Sequence, residues 1–283
     1  MPPSDVLHRD VVDCRGLVQV YRVATGEVHA LRGVDAAFTT GTLSAVVGPS
    51  GSGKSTLLRA IALMERPTAG TLTICGVDAV AAGPRTVRRL RRRSIAVVTQ
   101  RPTHNLYPHL DALEHVQTAL VRRTGTRRGA LEALESVGLA HRRDARPRQL
   151  SGGEQQRLAV VMATVGGTEL ILADEPTAEL DTESAATVID LLRAAATAGA
   201  AVVVNTHDRA VAESADRVLA LHHGTMHSEQ VHGSATVGVI DAVGRIQLPP
   251  ELLDGFPGRR AAISVGEDGA VVLRPIATGA DHV

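Results

Sequence analysis

Apolar and polar positions along the chain alternate between strand-like and helix-like spacing as far as about residue 222. Strand-like apolar runs lie at residues 11–21, 28–38, 43–47, 95–99, 170–174 and 201–206. Helix-like spacing lies at residues 56–64, 87–92, 111–121, 131–137 and 181–198. The third of these helices begins at a capping box, because Asp111 is followed three residues later by Glu114. The alternation of the two element types predicts an α/β fold.

The length of the chain indicates how it is organised. At 283 residues it is long for one domain and short for two, which predicts one large domain with a smaller piece appended. A linker-like stretch at residues 233–235 places the boundary, so we expect a large domain over 1–232 and a small β-rich module over 233–283. In that module, an Asp-Gly pair at 268–269 between two β-rich runs predicts a hairpin.

The sequence shows no sign of a membrane span or a secretion signal. No uncharged apolar run approaches the roughly 18 residues of a membrane span. Charges interrupt residues 1–12, where a signal peptide needs an apolar stretch. We therefore expect the protein to be soluble by itself and to reach a membrane only through a partner.

The composition excludes some classes of function. The 30 basic residues are balanced by 30 acidic ones, so the chain as a whole lacks the positive charge that nucleic-acid binding needs. Cys14 and Cys75 lack the spacing of a metal site and are expected to be free thiols in a reducing cytosol. Aromatic residues make up 1% of the chain, so aliphatic side chains must fill the core.

Two local clusters depart from this even charge distribution. Residues 85–93 hold six arginines; a solvated helix face is the simpler interpretation, and contact with anionic lipid headgroups or nucleic acid is the alternative. Four histidines offer metal ligands, although no predicted helix presents a pair of them at i, i+4 spacing. These histidines are His222, His223, His227 and His232.

A glycine-rich loop between a predicted strand and a predicted helix carries the clearest chemistry. Residues 48–55 form the pattern G-x-x-x-x-G-K-S, whose backbone N–H groups, with the N-terminus of the following helix, bind phosphates. Lys54, the single lysine of the chain, would reach the β- and γ-phosphates, and the Ser55 hydroxyl would bind Mg²⁺. The expected nucleotide-binding residues of the loop are Gly48, Ser50, Gly51, Ser52, Gly53, Lys54, Ser55 and Thr56.

Two carboxylates at the end of another predicted strand supply the groups that hydrolysis needs. Asp174 and Glu175 end the apolar run that begins at Leu170, and Pro176 follows directly. Asp174 is placed to hold Mg²⁺ through water, and Glu175 to act as the general base for the attacking water. Helix capping is the alternative role, but two acids are more than a cap needs.

A third motif lies between the glycine-rich loop and the carboxylates. Residues 150–157 read LSGGEQQR, in which Ser151, Gly152 and Gly153 open a helix predicted to begin near Glu154. They offer a hydroxyl and backbone N–H groups to an anion, although taken alone they are only an N-cap with turn glycines. Together with the other motifs, this element resembles the signature motif of the ABC ATPase family. The resemblance implies that it faces the γ-phosphate of ATP bound to a second copy of the chain.

The resemblance covers about residues 8–228 and implies further site residues. Tyr21 resembles the aromatic residue that stacks on adenine, and His207 the histidine that contacts the γ-phosphate. Gln100 resembles the glutamine that contacts Mg²⁺ and senses the transmembrane partner. Residues 178–181 resemble the D-loop, although they begin Ala-Glu where Ser-Ala is usual. The expected catalytic residues are thus Lys54, Glu175 and His207, and the expected metal-binding residues are Ser55, Gln100 and Asp174.

The same resemblance implies the fold and its parts. It is a P-loop NTPase with a RecA-like core, an N-terminal antiparallel β-subdomain and a helical subdomain at about residues 101–160. From residue 234 onwards, the chain resembles an AbrB/SpoVT-like swapped-hairpin module. Such modules often bind DNA, but this segment has four arginines against six acidic residues, which favours dimerisation or regulation.

The expected function is that of the ATP-binding and ATP-hydrolysing subunit of an ABC transporter. Two copies would close over two ATP molecules and drive a separate transmembrane permease from the cytoplasmic face of the membrane; a nucleic-acid partner is not expected. Residues 30–34 and 105–110 resemble lipoprotein-releasing and macrolide-export ATPases, which favours export, although amino-acid importer ATPases share much of this pattern. The alternative is a soluble ABC ATPase or nucleotide sensor with a DNA-binding or regulatory tail. Glu175 and His207 argue against a sensor, which needs no hydrolytic base.

Overall fold

The computed structural model describes residues 9–24, 26–231, 237–238, 256, 261–265 and 271–275. Its strands are β1 (Asp10–Val23), β2 (Gly26–Thr39), β3 (Leu43–Val47), β4 (Ala69–Ile74), β5 (Val77–Asp78), β6 (Ile95–Val98), β7 (Leu170–Asp174), β8 (Ala201–Asn205), β9 (Arg217–His222), β10 (Thr225–Val231), β11 (Val237–Gly238), β12 (Ala261–Val265) and β13 (Val271–Pro275). Its α-helices are α1 (Lys54–Ile61), α2 (Pro84–Arg93), α3 (Ala112–Thr124), α4 (Ala130–Glu135), α5 (Gly152–Thr164), α6 (Thr182–Thr197) and α7 (Arg209–Ser214). The predicted α/β class is confirmed by this arrangement.

The central sheet has the strand order β11-β10-β9-β3-β8-β7-β6. The strands from β9 to β6 are parallel, and β10 and β11 add to one edge in antiparallel fashion. Both faces of this sheet are covered, which is why its strands have continuous apolar runs. On β7, Leu170 and Leu172 belong to one buried cluster, and Ile171 and Ala173 belong to the cluster on the opposite face.

A second, antiparallel sheet has the order β2-β1-β4-β5 and packs, together with α1, over the first of those clusters. A third cluster of buried side chains lies among α3, α4 and α5, and its largest fully buried members include Leu134, Leu139 and Leu158. The predicted antiparallel subdomain and helical subdomain are therefore both present. The exact domain boundaries, including the helical subdomain at 101–160, stay predictions.

Some helix boundaries differ from the predicted ones. The helix of the glycine-rich loop begins at Lys54 and ends at Ile61, not at residues 56 and 64, and the signature helix begins at Gly152, not near Glu154. The predicted helix at 131–137 spans Ala130–Glu135. Glycine and polar residues form the first turns of α1 and α5 and show no apolar periodicity, so the pattern places the starts of these two helices too late. The early end of α1 reflects Leu63, whose φ of 56° is left-handed.

The predicted C-terminal hairpin is confirmed as far as it is described. β12 and β13 pair in antiparallel register from Ala261 opposite Pro275 to Val265 opposite Val271. The Asp-Gly turn between them and the β-rich run at residues 239–252 lie outside the described residues. The boundary between 1–232 and 233–283 and the swapped-hairpin resemblance therefore stay predictions. Over the part of the chain that is described, no helix is long and apolar enough to cross a membrane.

The position of β7 inside the central sheet leads to a stability prediction. Leu172 is fully buried, so Leu172→Ala is expected to lower the free energy of unfolding by about 2–5 kcal/mol through lost burial and a residual cavity. The same change at Leu131, which is 37% exposed on α4, should cost less than about 0.5 kcal/mol. Equilibrium urea unfolding measures both, and equal losses for the two variants would contradict a buried β7.

Candidate active site

The glycine-rich loop joins the end of β3 to the start of α1, and close backbone contacts determine its shape. A Cβ on Gly48 would lie 2.0 Å from the Leu221 carbonyl oxygen, and one on Gly53 would lie 2.4 Å from the Ala30 carbonyl oxygen. Both glycines also have positive φ, 151° and 107°, which side chains rarely adopt. Glycine is therefore required at both positions.

The interior of this loop offers polar groups suited to phosphate. The Lys54 Nζ donates to the carbonyl oxygens of Gly48 at 2.7 Å and Pro49 at 3.2 Å, so the ammonium lies across the loop. Ser52 Oγ is buried without a hydrogen-bond partner among the described residues. No side chain caps the N-terminus of α1, which leaves its first N–H groups free for an anion. Ser50 and Gly51 are exposed at the tip of the loop.

Ser55 and Asp174 are brought together although they are 119 positions apart. The Ser55 hydroxyl donates to Asp174 Oδ1 at 3.2 Å, and Asn205 Nδ2 donates to the same oxygen at 3.2 Å. A hydroxyl and a carboxylate are oxygen ligands of the kind that Mg²⁺ prefers. The sequence analysis did not identify Asn205, which faces Asp174 in the register of β7 and β8.

Glu175 and His207 form the other contact at this edge of the sheet. His207 Nδ1 lies 2.9 Å from Glu175 Oε2, and the His207 backbone N–H donates to the same oxygen at 3.3 Å. Glu175 has a φ of 48°, and its backbone N–H donates to the Asn205 carbonyl oxygen at 2.9 Å. This left-handed conformation is costly for a residue with a side chain, and it turns the carboxylate towards the histidine. The glutamate side chain is 15% exposed, and the histidine side chain is 75% exposed.

Gln100 lies on the same cavity as the Ser55–Asp174 pair. The cavity has a volume of about 450 Å³, and its wall also includes Arg59 and His104. Because β6 is parallel to β7, the residues after both strands emerge at one edge of the sheet. The three expected metal-binding residues therefore share one cavity, and their binding of Mg²⁺ stays a prediction.

Tyr21 contacts the helix that follows the phosphate loop. Its hydroxyl is hydrogen-bonded to the Glu65 carboxylate and accepts a hydrogen bond from Arg59 Nη2 at 3.3 Å. Arg59 also donates to Glu65 at 2.8 Å and to Thr56 Oγ1 at 3.3 Å. The hydrogen bond that Arg59 donates to the Tyr21 hydroxyl is the main cause that raises the pKa of Arg59. This network, which the sequence analysis missed, links Tyr21 to the loop residue Thr56; stacking of Tyr21 on adenine stays a prediction.

The signature motif forms a separate capped helix start. Ser151 is the N-cap of α5 in a reciprocal capping box: the Ser151 N–H donates to Glu154 Oε2 at 2.7 Å, and the Glu154 N–H donates to Ser151 Oγ at 3.2 Å. Gly152 is open to solvent. Within the described part of the chain, no hydrogen bond joins this motif to Lys54. A single chain therefore does not complete the site that the resemblance implies.

Gly153 of the signature packs against the start of α6. Ser184 Oγ accepts from Arg157 Nη1 at 2.9 Å and donates to Asp181 Oδ2 at 2.9 Å. Asp181 is the N-cap of α6 and belongs to the segment that resembles a D-loop. The hydroxyl of Ser184 thus connects the signature helix to that segment, a link between distant residues that the sequence analysis did not identify.

The histidine cluster is only partly confirmed as a spatial group. The rings of His222 and His227 stack with centroids 4.8 Å apart, and burial is the main cause that lowers the pKa of both. His232 lies outside the described residues. In the remaining, described chain no group of three or more His, Cys, Asp or Glu residues is placed to hold a metal ion.

Comparison with known proteins identifies relatives for most of the chain. The family model described as ABC transporter matches residues 31–178. The chain is 40% identical to the lipoprotein-releasing system ATP-binding protein LolD 2 of Caulobacter vibrioides, over 78% of this chain and 98% of that protein. It is 36% identical to the macrolide export ATP-binding/permease protein MacB of Nitrobacter winogradskyi, over 77% of this chain and 34% of that protein.

A solved structure agrees with these relatives. The dimeric, post-hydrolysis structure of the ATP-binding cassette MJ0796 bound to ADP and Pi aligns with a TM-score of 0.72 and 32% identity, covering 79% of this chain and 100% of that one. The predicted P-loop NTPase fold is thereby confirmed.

The contact between Gly153 and Ser184 leads to a prediction with an internal control. A Cβ on Gly153 would lie 2.9 Å from Ser184 Oγ, whereas one on Gly152 meets nothing within 4 Å. Gly153→Ala is expected to lower the free energy of unfolding by about 1–3 kcal/mol, because the held hydroxyl must move. Gly152→Ala should leave stability unchanged or slightly raised, since alanine favours the helix.

A double variant tests the cause of that loss. Ser184→Ala removes the hydroxyl, and a Cβ at position 153 would then meet the Cβ of residue 184 at 3.5 Å and Arg157 Nη1 at 3.8 Å, which are ordinary contact distances. Adding Gly153→Ala to Ser184→Ala should therefore cost little in a thermal or urea unfolding measurement. A full loss in the double variant would show that the hydroxyl contact is not responsible.

Proposed function

The chain belongs to the ATP-binding proteins of the ABC transporter family, and we propose that the residues at the carboxyl edge of its central sheet hydrolyse ATP. As a member it binds and hydrolyses ATP, pairs with a second ATPase subunit, and powers transport by a separate permease. The observation that carries the assignment of residues is the pair of contacts at adjacent strand ends, Ser55 with Asp174 and Glu175 with His207.

The proposed binding step uses the loop between β3 and α1. Its backbone N–H groups and the free N-terminus of α1 surround the phosphates, and Lys54 exchanges its contacts with Gly48 and Pro49 for the β- and γ-phosphates. Tyr21, held against α1 by Arg59 and Glu65, offers its ring to the adenine. The remaining loop residues position the triphosphate for attack at the γ-phosphorus.

Ser55, Asp174 and Gln100 are the residues that would hold Mg²⁺, and their oxygen donors fit this ion. When bound, the ion supplies positive charge that offsets the negative charge of the β- and γ-phosphates. Asn205 donates to Asp174 Oδ1 and keeps that carboxylate oriented towards Ser55. The role of Gln100 is to connect this position to the surface that contacts the permease.

The proposed hydrolytic step places one water between Glu175 and the γ-phosphate. Glu175 accepts a proton from this water as its oxygen attacks phosphorus and the bond to the β-phosphate oxygen breaks. His207 keeps the carboxylate in place through Nδ1 and the backbone N–H and would contact the γ-phosphate. Ser151, Gly152 and Gly153 of the second copy close over the same phosphate, since no contact brings them to it within one chain.

The direction of transport is proposed from the relatives. The names of the lipoprotein-releasing, pyoverdine-export and macrolide-export proteins support export by the transporter that this subunit powers. Magnesium dependence and a location on the inner face of the cell membrane belong to the same proposal. Two of these relatives are named as joint ATP-binding and permease proteins, which supports a permease as the direct partner.

Replacing the proposed base separates hydrolysis from binding. Glu175→Gln keeps the shape of the side chain but not its basicity, so phosphate release should fall by about 10²–10⁴-fold. The Kd for ATP, measured by equilibrium dialysis, should change little because the loop is untouched. Glu183→Gln, the same change at an exposed residue of α6, is the control and should keep wild-type activity. Retention of more than a tenth of the activity by Glu175→Gln would show that another group is the base.

The same variant tests the partner. With ATP present, Glu175→Gln is expected to remain in the closed dimer. When this variant is purified from solubilised membranes of its host, a polytopic membrane protein should co-purify with it. Glu183→Gln, or Glu175→Gln without ATP, should recover much less of that protein. Recovery of only ribosomal or DNA-associated proteins would contradict the transporter function.

A further inference from the structure

The most concentrated charge on the chain lies outside the proposed active site. We call it the arginine face and define it by Arg85, Arg88, Arg89, Arg91, Arg92 and Arg93 of α2 together with Arg122 of α3. All seven are exposed. Among the described residues, no side chain of this set takes part in a hydrogen bond or an ion pair. The face is therefore positive without local compensation.

The position of α2 explains why these side chains remain exposed. Leu90 is the buried residue of this helix, so α2 is anchored by one narrow stripe and turns its other sides outwards. No Asp or Glu occurs in Pro84–Arg93. The balance of 30 basic and 30 acidic residues is thus reached by acids elsewhere in the chain, and the repulsion between these guanidinium groups favours binding of an external anion.

Four of these arginines line a cavity together with two apolar residues. A cavity of about 430 Å³ is lined by Pro84, Val87, Arg88, Arg91, Arg92 and Arg122. Arginines from two helices thus line one cavity, and the planar guanidinium binds phosphate oxygens in pairs.

The residue next to Arg122 in the chain is a second, more buried arginine. Arg123 is tied into the protein through hydrogen bonds from Nη1 to the carbonyl oxygens of Met162 and Val165. Burial, with a further contribution from the charge of Arg122, lowers the pKa of Arg123 to about 10. Arg122 is thus a like-charged neighbour of a buried guanidinium, and within the described chain its side chain forms no ion pair with an acid.

The arginine face opens towards the groove beside Gln100. Arg91, Arg92 and Arg122 also line a second cavity, of about 230 Å³, whose wall includes Met64 and His104. Met64 and His104 in turn line the cavity that contains Gln100. In the proposed function, the Gln100 region contacts the permease, so the arginine face lies next to a membrane-bound partner; this step alone rests on that proposal.

The form of the face favours a bilayer over a nucleic acid. Six arginines in ten helical residues match the clusters of four to eight basic residues that bind anionic lipid beside a membrane. A helix of this length spans about 15 Å, which is short for following a nucleic-acid backbone. The chain also has few aromatic residues, 1% of the total, and hence few stacking surfaces for bases.

We propose that the arginine face binds the phosphate groups of anionic phospholipids in the membrane that surrounds the permease. The lipid surface supplies many anions at once, which suits arginines that point in several directions from α2. The contact would hold the ATPase subunit against the membrane in addition to its contact with the permease.

Co-sedimentation of the full chain with vesicles tests this directly. Wild-type protein should bind vesicles that contain phosphatidylglycerol more tightly than vesicles of pure phosphatidylcholine, and 0.5 M salt should abolish the difference. The triple variant Arg88→Gln/Arg91→Gln/Arg92→Gln should lose about a hundredfold in affinity for the anionic vesicles, at about fivefold per arginine. The basal ATPase activity of this variant should stay at the wild-type level, and this result would show that the variant is folded.

A second triple variant controls for net charge. Arg15→Gln/Arg22→Gln/Arg143→Gln removes three exposed arginines that are paired with Asp13, Glu27 and Asp144, and it should keep vesicle binding. Equal losses in both triple variants, or equal wild-type binding to both vesicle types, would overturn the proposal. So would binding to duplex DNA that depends on the same arginines while vesicle binding is absent.

Failure of this proposal and failure of the proposed function are distinguishable. Vesicle binding is measured without ATP and without the permease. The hydrolytic function is measured separately, by comparing phosphate release from wild-type protein and from the Glu175→Gln variant. If wild-type protein hydrolyses ATP but does not bind anionic vesicles, the proposed lipid contact is overturned and the proposed hydrolytic function is not.

Discussion

The parallel pairing of β3, β8 and β7 is the constraint on which the rest of the structure depends. In a parallel sheet the carboxyl ends of the strands meet at one edge, and here the phosphate loop, Asp174 and Asn205 all follow such ends. Asp174 faces Asn205 directly in the strand register, and Ser55 reaches the same carboxylate from the start of α1. Each of these strands is buried on both faces, so a slip of one residue would exchange the side chains packed on the two faces and move Asp174 out of register with Asn205.

Close packing at this edge comes at a conformational cost that the core must offset. Gly48 and Gly53 bring the loop against the backbone of β9 and β2, and Glu175 takes a left-handed conformation. Such conformations persist only where the surrounding structure imposes them. Here the fully buried strands supply the rigidity that holds the loop and the glutamate in these conformations. Preorganised donors of this kind need little rearrangement during the reaction.

The chain presents chemically different surfaces that need different partners. The capped start of α5 carries a serine and backbone N–H groups, and in the proposed function it faces the phosphate loop of a second copy. Ser184 ties this start to the N-cap of α6, which follows the segment beyond Glu175. The arginine face differs, because its side chains form no ion pair among the described residues, which suits an anion from outside the chain.

The sequence by itself determined the class of fold, most of the strands and the residues of the phosphate loop, the acidic strand end and the signature. These follow from local patterns: apolar runs form buried strands, and particular glycines and caps form particular turns. Only the tertiary structure decided that Asn205 supports Asp174, that Arg59 and Glu65 hold Tyr21, and that Ser184 requires a glycine at 153. Those partners are far apart in the chain, and their contacts depend on strand register and helix packing. Strand register and helix packing are set by the whole fold and cannot be read from the residues adjacent to each partner in the chain.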